Sequence, residues 1–251
     1  SIYKSLHTFR ITGGEPLMSK DTFRVMEWIL ETASPNKNLL LGINSNFVVE
    51  PKLFERFINL TQQMLDSKRV RKFEIYTSAE ASGVRAEYIR HGLDYQKFLS
   101  NIHRVCDLFG AREDFTLTFM CTYNALSLST FTEWLKDLVE VRKRYGIYSI
   151  YIDVSYVRYP DMMDIKILPE SFEKYIHESI AYMEEQEANG LMHKSETAKL
   201  KRIVSYWKST RKFNQDTHQR NFKAYTAELD KRRDTLFSNV FPEYSAWYDT
   251  I

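Results

Sequence analysis

Two glycines, an acid and a proline stand together at Gly13-Gly14-Glu15-Pro16. A glycine pair lets the backbone take φ > 0 or come close to a ligand, and the proline then fixes the turn. Backbone carbonyls and a carboxylate in one tight turn suit a cationic amine. Further polar groups recur along the chain: Asn44-Ser45-Asn46, Thr77-Ser78-Ala79-Glu80, Thr122-Tyr123-Asn124, and Ser155-Tyr156 followed by Arg158 and Pro160. Arg90 adds a guanidinium, which pairs bidentately with carboxylates. Loops are polar in any protein, so the glycine pair weighs more than any single polar exit.

Each of these groups follows a short β-rich run. The runs are Phe9-Arg10-Ile11-Thr12, residues 38–43 around Leu39-Leu40-Leu41, Phe73-Glu74-Ile75-Tyr76, residues 115–121, and the alternating stretch from Tyr148 to Tyr156. Helical periodicity fills the gaps: Phe23, Met26 and Ile29; Leu53, Phe57, Leu60 and Met64 after Pro51; Phe98, Ile102, Val105 and Phe109 before Gly110; Leu128, Phe131, Leu135 and Leu138 before Gly146. Strand starts roughly 30 to 40 residues apart are the length of a βα unit. Alternation of this kind predicts an α/β fold with a parallel sheet and helical crossovers. Chemistry in such folds sits at the carboxyl ends of the strands, so parallel neighbours would bring the polar exits to one rim. The pattern changes after Pro160. Pro169 precedes a helical stretch with Phe172, Ile176 and Met183, Gly190 interrupts it, and no further strand is predicted. The expected division is a βα region over 1–160 and a mostly helical C-terminal extension over 161–251.

The composition is that of an ordinary globular chain. There are 251 residues, 43 % hydrophobic and 27 % charged, with 35 Lys and Arg against 33 Asp and Glu. A core can be buried, and a net charge of +2 provides no global field toward nucleic acid or membrane. Apolar runs are too short for a transmembrane helix. Two cysteines, Cys106 and Cys121, form neither a disulfide framework nor a metal-binding set. A reducing, cytoplasmic location without membrane attachment is expected.

The turn Gly13-Gly14-Glu15-Pro16, with an apolar strand before it and Leu17-Met18 and an amphipathic helix after it, resembles the GGEP motif of the radical S-adenosylmethionine (SAM) superfamily. The resemblance implies a partial (βα)6 TIM-like barrel, with this turn closing its second strand and binding the amino group of SAM. Gly13, Gly14, Glu15 and Pro16 carry that role over. Asn44 and Asn46 resemble the exit of the third barrel strand. Ser78, Glu80 and Arg90 resemble the fourth-strand region, where polar residues and an arginine contact the ribose and carboxylate of SAM. Thr122 and Asn124 fall at the fifth exit and Tyr156 at the sixth. The segments Leu229–Arg233 and Phe241–Tyr244 are similar to the closing part of the subgroup with a short "twitch" domain, although no cysteine follows Cys121. The implied activity is reductive cleavage of SAM at a [4Fe–4S] cluster, with an external electron donor. The product is a 5′-deoxyadenosyl radical that abstracts hydrogen from a peptide, an RNA base or a small metabolite.

The family holds its cluster with CxxxCxxC ahead of the GGEP turn. No cysteine precedes Phe9, so the first βα unit with its cluster loop is expected to lie in a longer gene product. This chain alone is then expected to be inactive in radical chemistry. The alternative is a degenerate, non-catalytic relative that binds SAM or a partner. No catalytic residue and no metal ligand is assigned. Cys106 and Cys121 are read as small core residues.

Residues 191–233 carry twelve Lys and Arg against four Asp and Glu, a local net charge of +8. With Tyr206, Trp207, Phe213, Phe222 and Tyr225 interleaved, the segment could contact RNA or an acidic peptide through groups such as Arg211 and Lys212. A solvated helical face is the commoner outcome for such a run. None of the histidines forms an HxxxH pair. His91 is expected at the surface, the four tryptophans are read as packing residues, and Glu74 is given no role.

Overall fold

The structure, a computed structural model, describes residues 2–209 and 214–251. Strand β1 (Thr8–Ile11) runs through the Gly13–Pro16 turn into helix α1 (Lys20–Glu31), then β2 (Leu40–Asn44), α2 (Pro51–Asp66) and β3 (Lys72–Ser78). A short helix α3 (Gly83–Ile89) precedes α4 (Tyr95–Phe109), β4 (Phe115–Tyr123), α5 (Phe131–Tyr145) and β5 (Ile150–Tyr156). From Asp161 onward every described regular element is helical: α6 (Glu173–Ala188), α7 (Lys194–Lys208), α8 (Gln215–Arg233), α9 (Phe237–Val240), α10 (Ser245–Tyr248) and several 3-10 turns. The α/β alternation is therefore as the periodicity predicts. Helix α3 is not predicted, because Gly83–Ile89 is too short to show a helical period.

Local signals account for the elements. The Ser19 hydroxyl caps α1 by accepting the Asp21 amide at 3.3 Å, and Phe23, Met26 and Ile29 form its buried stripe. Pro51 opens α2, which buries Phe54, Phe57, Ile58 and Met64. Trp28 packs at the surface and not in the core. It lies off the buried stripe of α1, is 48 % exposed, and meets Tyr3 edge-on at 4.6 Å. Helix α6 starts after Phe172, which instead ends a 3-10 turn.

The five strands form one sheet in the order β1-β2-β3-β4-β5. The first four are parallel, in registers that pair Arg10 with Gly42, Gly42 with Glu74, and Tyr76 with Thr118. Strand β5 continues the pattern: Leu117 donates its amide to the Ser149 carbonyl at 2.7 Å, and Val157 donates to the Tyr123 carbonyl at 2.9 Å.

Two compact units are present. The first comprises Ser1–Ser78, Gln96–Met120 and Arg144–Ile152. Within it, one sheet face packs on helices: Phe73 meets Phe57 of α2 at 5.9 Å, and Phe119 meets Phe98 of α4 at 6.5 Å. Parallel sheets are usually covered and apolar on both faces. Here Lys72, Glu74, Tyr76 and Ser78 alternate with buried Phe73, Ile75 and Thr77, so the second face is polar and only partly buried.

The second unit comprises Ala79–Tyr95, Cys121–Lys143 and Asp153–Ile251. Its core is an aromatic cluster in which Phe237 meets Phe222 at 5.7 Å and Tyr244 at 5.6 Å, while Tyr88 meets Phe241 edge-on at 5.6 Å. Arg142 and Glu196, both buried, form a bidentate pair at 2.9 and 2.7 Å. The Asp230 carboxylate accepts from the Tyr88 hydroxyl, the Thr235 hydroxyl and the Phe237 amide. The basic stretch 191–233 becomes α7 and α8, and Arg211, Lys212 and Phe213 lie outside the described residues. Trp207 and Phe222 are buried rather than presented for stacking, while Tyr225 is exposed. Among the described residues, no helix is long and apolar enough to cross a membrane.

Candidate functional site

The Gly13-Gly14 pair adopts the backbone that its sequence predicts. Gly13 has φ +95° and Gly14 φ +52°, and a Cβ on either would meet nothing within 4 Å. Glycine is therefore required by conformation and not by space. Glu15 follows in extended geometry and caps the turn Pro16–Met18, its Oε1 accepting the Leu17 amide at 2.9 Å. Its Oε2 accepts the Asn46 amide at 2.7 Å. The carboxylate thus joins the loop after β1 to the loop after β2, and each oxygen keeps a lone pair for a further donor.

The loop after β2 is itself tightly specified. Ser45 Oγ accepts the Phe47 amide at 3.0 Å, and Asn46 Oδ1 accepts the Val48 amide at 2.9 Å. Phe47 is buried in left-handed backbone at φ +62°, with its carbonyl held by Asn101 Nδ2 at 2.6 Å. A non-glycine residue in that region carries a conformational cost. Asn44 points its Oδ1 at Arg10 Nε, 2.7 Å away. Ser78 is half-buried at the end of β3.

In the second unit, Glu80 is 3 % exposed and chelated by Arg90: Nε donates to Oε2 at 2.8 Å and Nη2 donates to Oε1. The Thr122 amide adds a third donor at 3.2 Å. The bidentate chemistry expected of Arg90 is thus engaged by a carboxylate of the chain itself, leaving Nη1 without a partner among the described residues. Asn124 is buried in its own turn, donating from Nδ2 to the Thr122 carbonyl and accepting the Leu126 amide. The Thr122 side chain is exposed. Tyr156 stacks on Tyr206 at 4.1 Å and accepts from Arg158 Nη2 at 2.6 Å. Burial and the hydrogen bond to Asp164 push the Tyr206 phenol upward.

A further constellation in the first unit has no counterpart in the sequence reading. The Arg10 guanidinium lies 3.7 Å from the centre of the Tyr76 ring, and the Tyr76 hydroxyl donates to Glu74. Lys72 pairs with Glu74 at 3.3 Å. Burial, and then the Glu74 contact, push the Tyr76 phenol up to about 12. The one available signal is Gly42, a glycine inside a strand, which marks a close approach of neighbours.

Neither thiol fits an iron–sulfur cluster. Cys106 and Cys121 are buried, as their reading as core residues requires. Burial, with Asp107 nearby, pushes Cys106 up to about 12. Burial and Glu80 push Cys121 upward, and its Sγ donates to the Ala79 carbonyl at 2.7 Å. Cluster ligands must be thiolates. Among the described residues, no group of three or more His, Cys, Asp or Glu side chains could hold a metal ion. The chain matches no protein-family model, no curated protein and no solved structure.

Proposed function

We propose that this chain is the SAM-binding part of a radical SAM enzyme, folded as a partial (βα)6 barrel without its first βα unit. The observation that carries the reading is the Gly13–Pro16 turn: two glycines at positive φ, and a carboxylate locked by two backbone amides with lone pairs to spare. Glu15 and the adjacent carbonyls hold the ammonium of SAM. In the same unit Ser78 serves the ribose, while in the second unit Arg90, closed on Glu80, keeps Nη1 for a carboxylate. Sequential strand order and a polar second sheet face support the barrel architecture. SAM supplies a sulfonium whose cleavage yields the radical in the family. No radical step is assigned to these residues, because the two thiols do not fit a cluster.

The second reading is a non-catalytic SAM-binding relative, with which the two buried thiols are equally compatible. Calorimetry with SAM tests the binding common to both: Glu15→Ala and Arg90→Ala are each expected to weaken it about tenfold or more. Absence of SAM binding by the intact chain overturns both. Anaerobic iron–sulfide reconstitution is expected to give no stoichiometric cluster. A stable cluster near one per chain would falsify the assignment of Cys106 and Cys121 to the core.

A further inference from the structure

The polar sheet face of the first unit carries a guanidinium that is oriented before any ligand arrives. Arg10 and Tyr76 stand on strands that are not adjacent, with β2 between them. Gly42 of β2 leaves room for that meeting: a Cβ at that position would lie 3.2 Å from the Tyr76 ring, which would have to shift, and 3.4 Å from Arg10 Cγ. The Arg10 side chain crosses over the glycine and lays its guanidinium on the ring at 3.7 Å. Asn44 Oδ1 then accepts a hydrogen bond from Arg10 Nε at 2.7 Å, which fixes rotation of the fork. Nη1 and Nη2 have no partner among the described residues, and Arg10 is exposed. An arginine whose stem, plane and Nε are all fixed has lost most of its rotamer freedom in advance, so an incoming anion meets little ordering cost.

We infer that Arg10, stacked on Tyr76 across Gly42 and steered by Asn44, is a binding site for the carboxylate group of a small-molecule ligand. A planar carboxylate matches the two remaining donors of the fork. Local charge selects it over phosphate. Lys72 and Glu74 neutralise one another at 3.3 Å, so the single positive charge of Arg10 is matched by one carboxylate and only half matches a phosphate dianion. Asn44 is a positioning residue here, since it acts through Arg10. The inference does not rest on the SAM reading, and binding of SAM by Glu15 variants reports on that reading separately.

Titration of the full chain with succinate at constant ionic strength, followed by NMR at the Arg10 Nε–H and the Gly42 and Tyr76 amides, tests the site. Saturable shifts at all three are expected, with inorganic phosphate weaker and chloride without effect. Arg10→Lys keeps the charge but loses the fork, and Gly42→Ala crowds the Tyr76 ring and disturbs its stack with the guanidinium. Each is expected to weaken succinate roughly tenfold at the amide signals. Non-saturable shifts, equal shifts with chloride, phosphate binding tighter than succinate, or unchanged affinity in Arg10→Lys would each overturn the proposal. Position 10 is exposed, so Arg10→Lys keeps the test decisive even if Gly42→Ala fails to fold.

Discussion

The Oε2 atom of Glu15 accepts the backbone amide of Asn46 across 2.7 Å, tying together two loops that lie on successive βα units. Sequence likeness treats Glu15 as a ligand for an amine. The fold shows that it is first a clasp between loops. Both roles use the same charge, and they can be separated by substitution.

Glu15→Ala removes the acceptor for two amides and is expected to cost about 1–2 kcal/mol of stability. Glu15→Gln keeps one acceptor oxygen but turns an NH2 toward the other amide, so an intermediate loss is expected. Urea midpoints of the three proteins check the order. Equal stability of all three would show that the clasp contributes nothing.

Arg90→Ala leaves the Glu80 carboxylate buried beside the Thr122 amide and Cys121. Because the Arg90 side chain is 33 % exposed, water softens the loss, and about 1–3 kcal/mol is expected. Adding Glu80→Gln should recover part of it, since the uncompensated charge is then gone. A double variant weaker than Arg90→Ala by the full cost of Glu80→Gln would mean the two side chains do not interact.

The Arg142–Glu196 pair is the more severe case. Their side chains are 0 % and 4 % exposed. Glu196→Ala is expected to cost about 3–5 kcal/mol, because a buried guanidinium loses its counter-charge. The apolar pair Arg142→Met with Glu196→Leu should be clearly better tolerated than Glu196→Ala alone. Chemical denaturation of both variants decides this.

Alkali should destabilise the chain through the acid groups that burial keeps protonated. Cys106 ionises at 9.0 when unfolded, and Tyr76 and Tyr145 at 10.0, whereas burial lifts each to about 12 in the fold. The folded state therefore binds more protons over this range, and its stability falls as pH rises. The contribution is complete below pH 9 and is lost progressively from about 9 to 12. Urea midpoints from pH 7 to 11, with iodoacetamide labelling of the thiols, follow the effect. A flat midpoint or rapid labelling of both thiols at pH 8 would contradict it.

Much of the strand and helix order was legible because burial imposes a period. Phe73, Ile75 and their alternating neighbours mark a strand with two unlike faces, and Phe23, Met26 and Ile29 mark one helical stripe. Gly13 and Gly14 announced their positive φ because glycine takes that backbone without the cost other residues carry. Pairing was not legible. That Arg90 closes on Glu80 depends on the path through α3, and nothing in the residue types says whether the fork meets a ligand or its own chain. The meeting of Arg10 with Tyr76 depends on register across three strands, which periodicity along any one of them does not encode.

The sheet order has a kinetic consequence. Among the described strands, each from β2 to β5 pairs with the one made just before it, so none of these waits for a distant partner. Each βα unit can dock on its predecessor as it leaves the ribosome, and the loops to be closed stay short for a parallel sheet. Assembly of this sheet can proceed from β1 toward β5. A slowed or paused synthesis should therefore leave native-like intermediates rather than tangled ones.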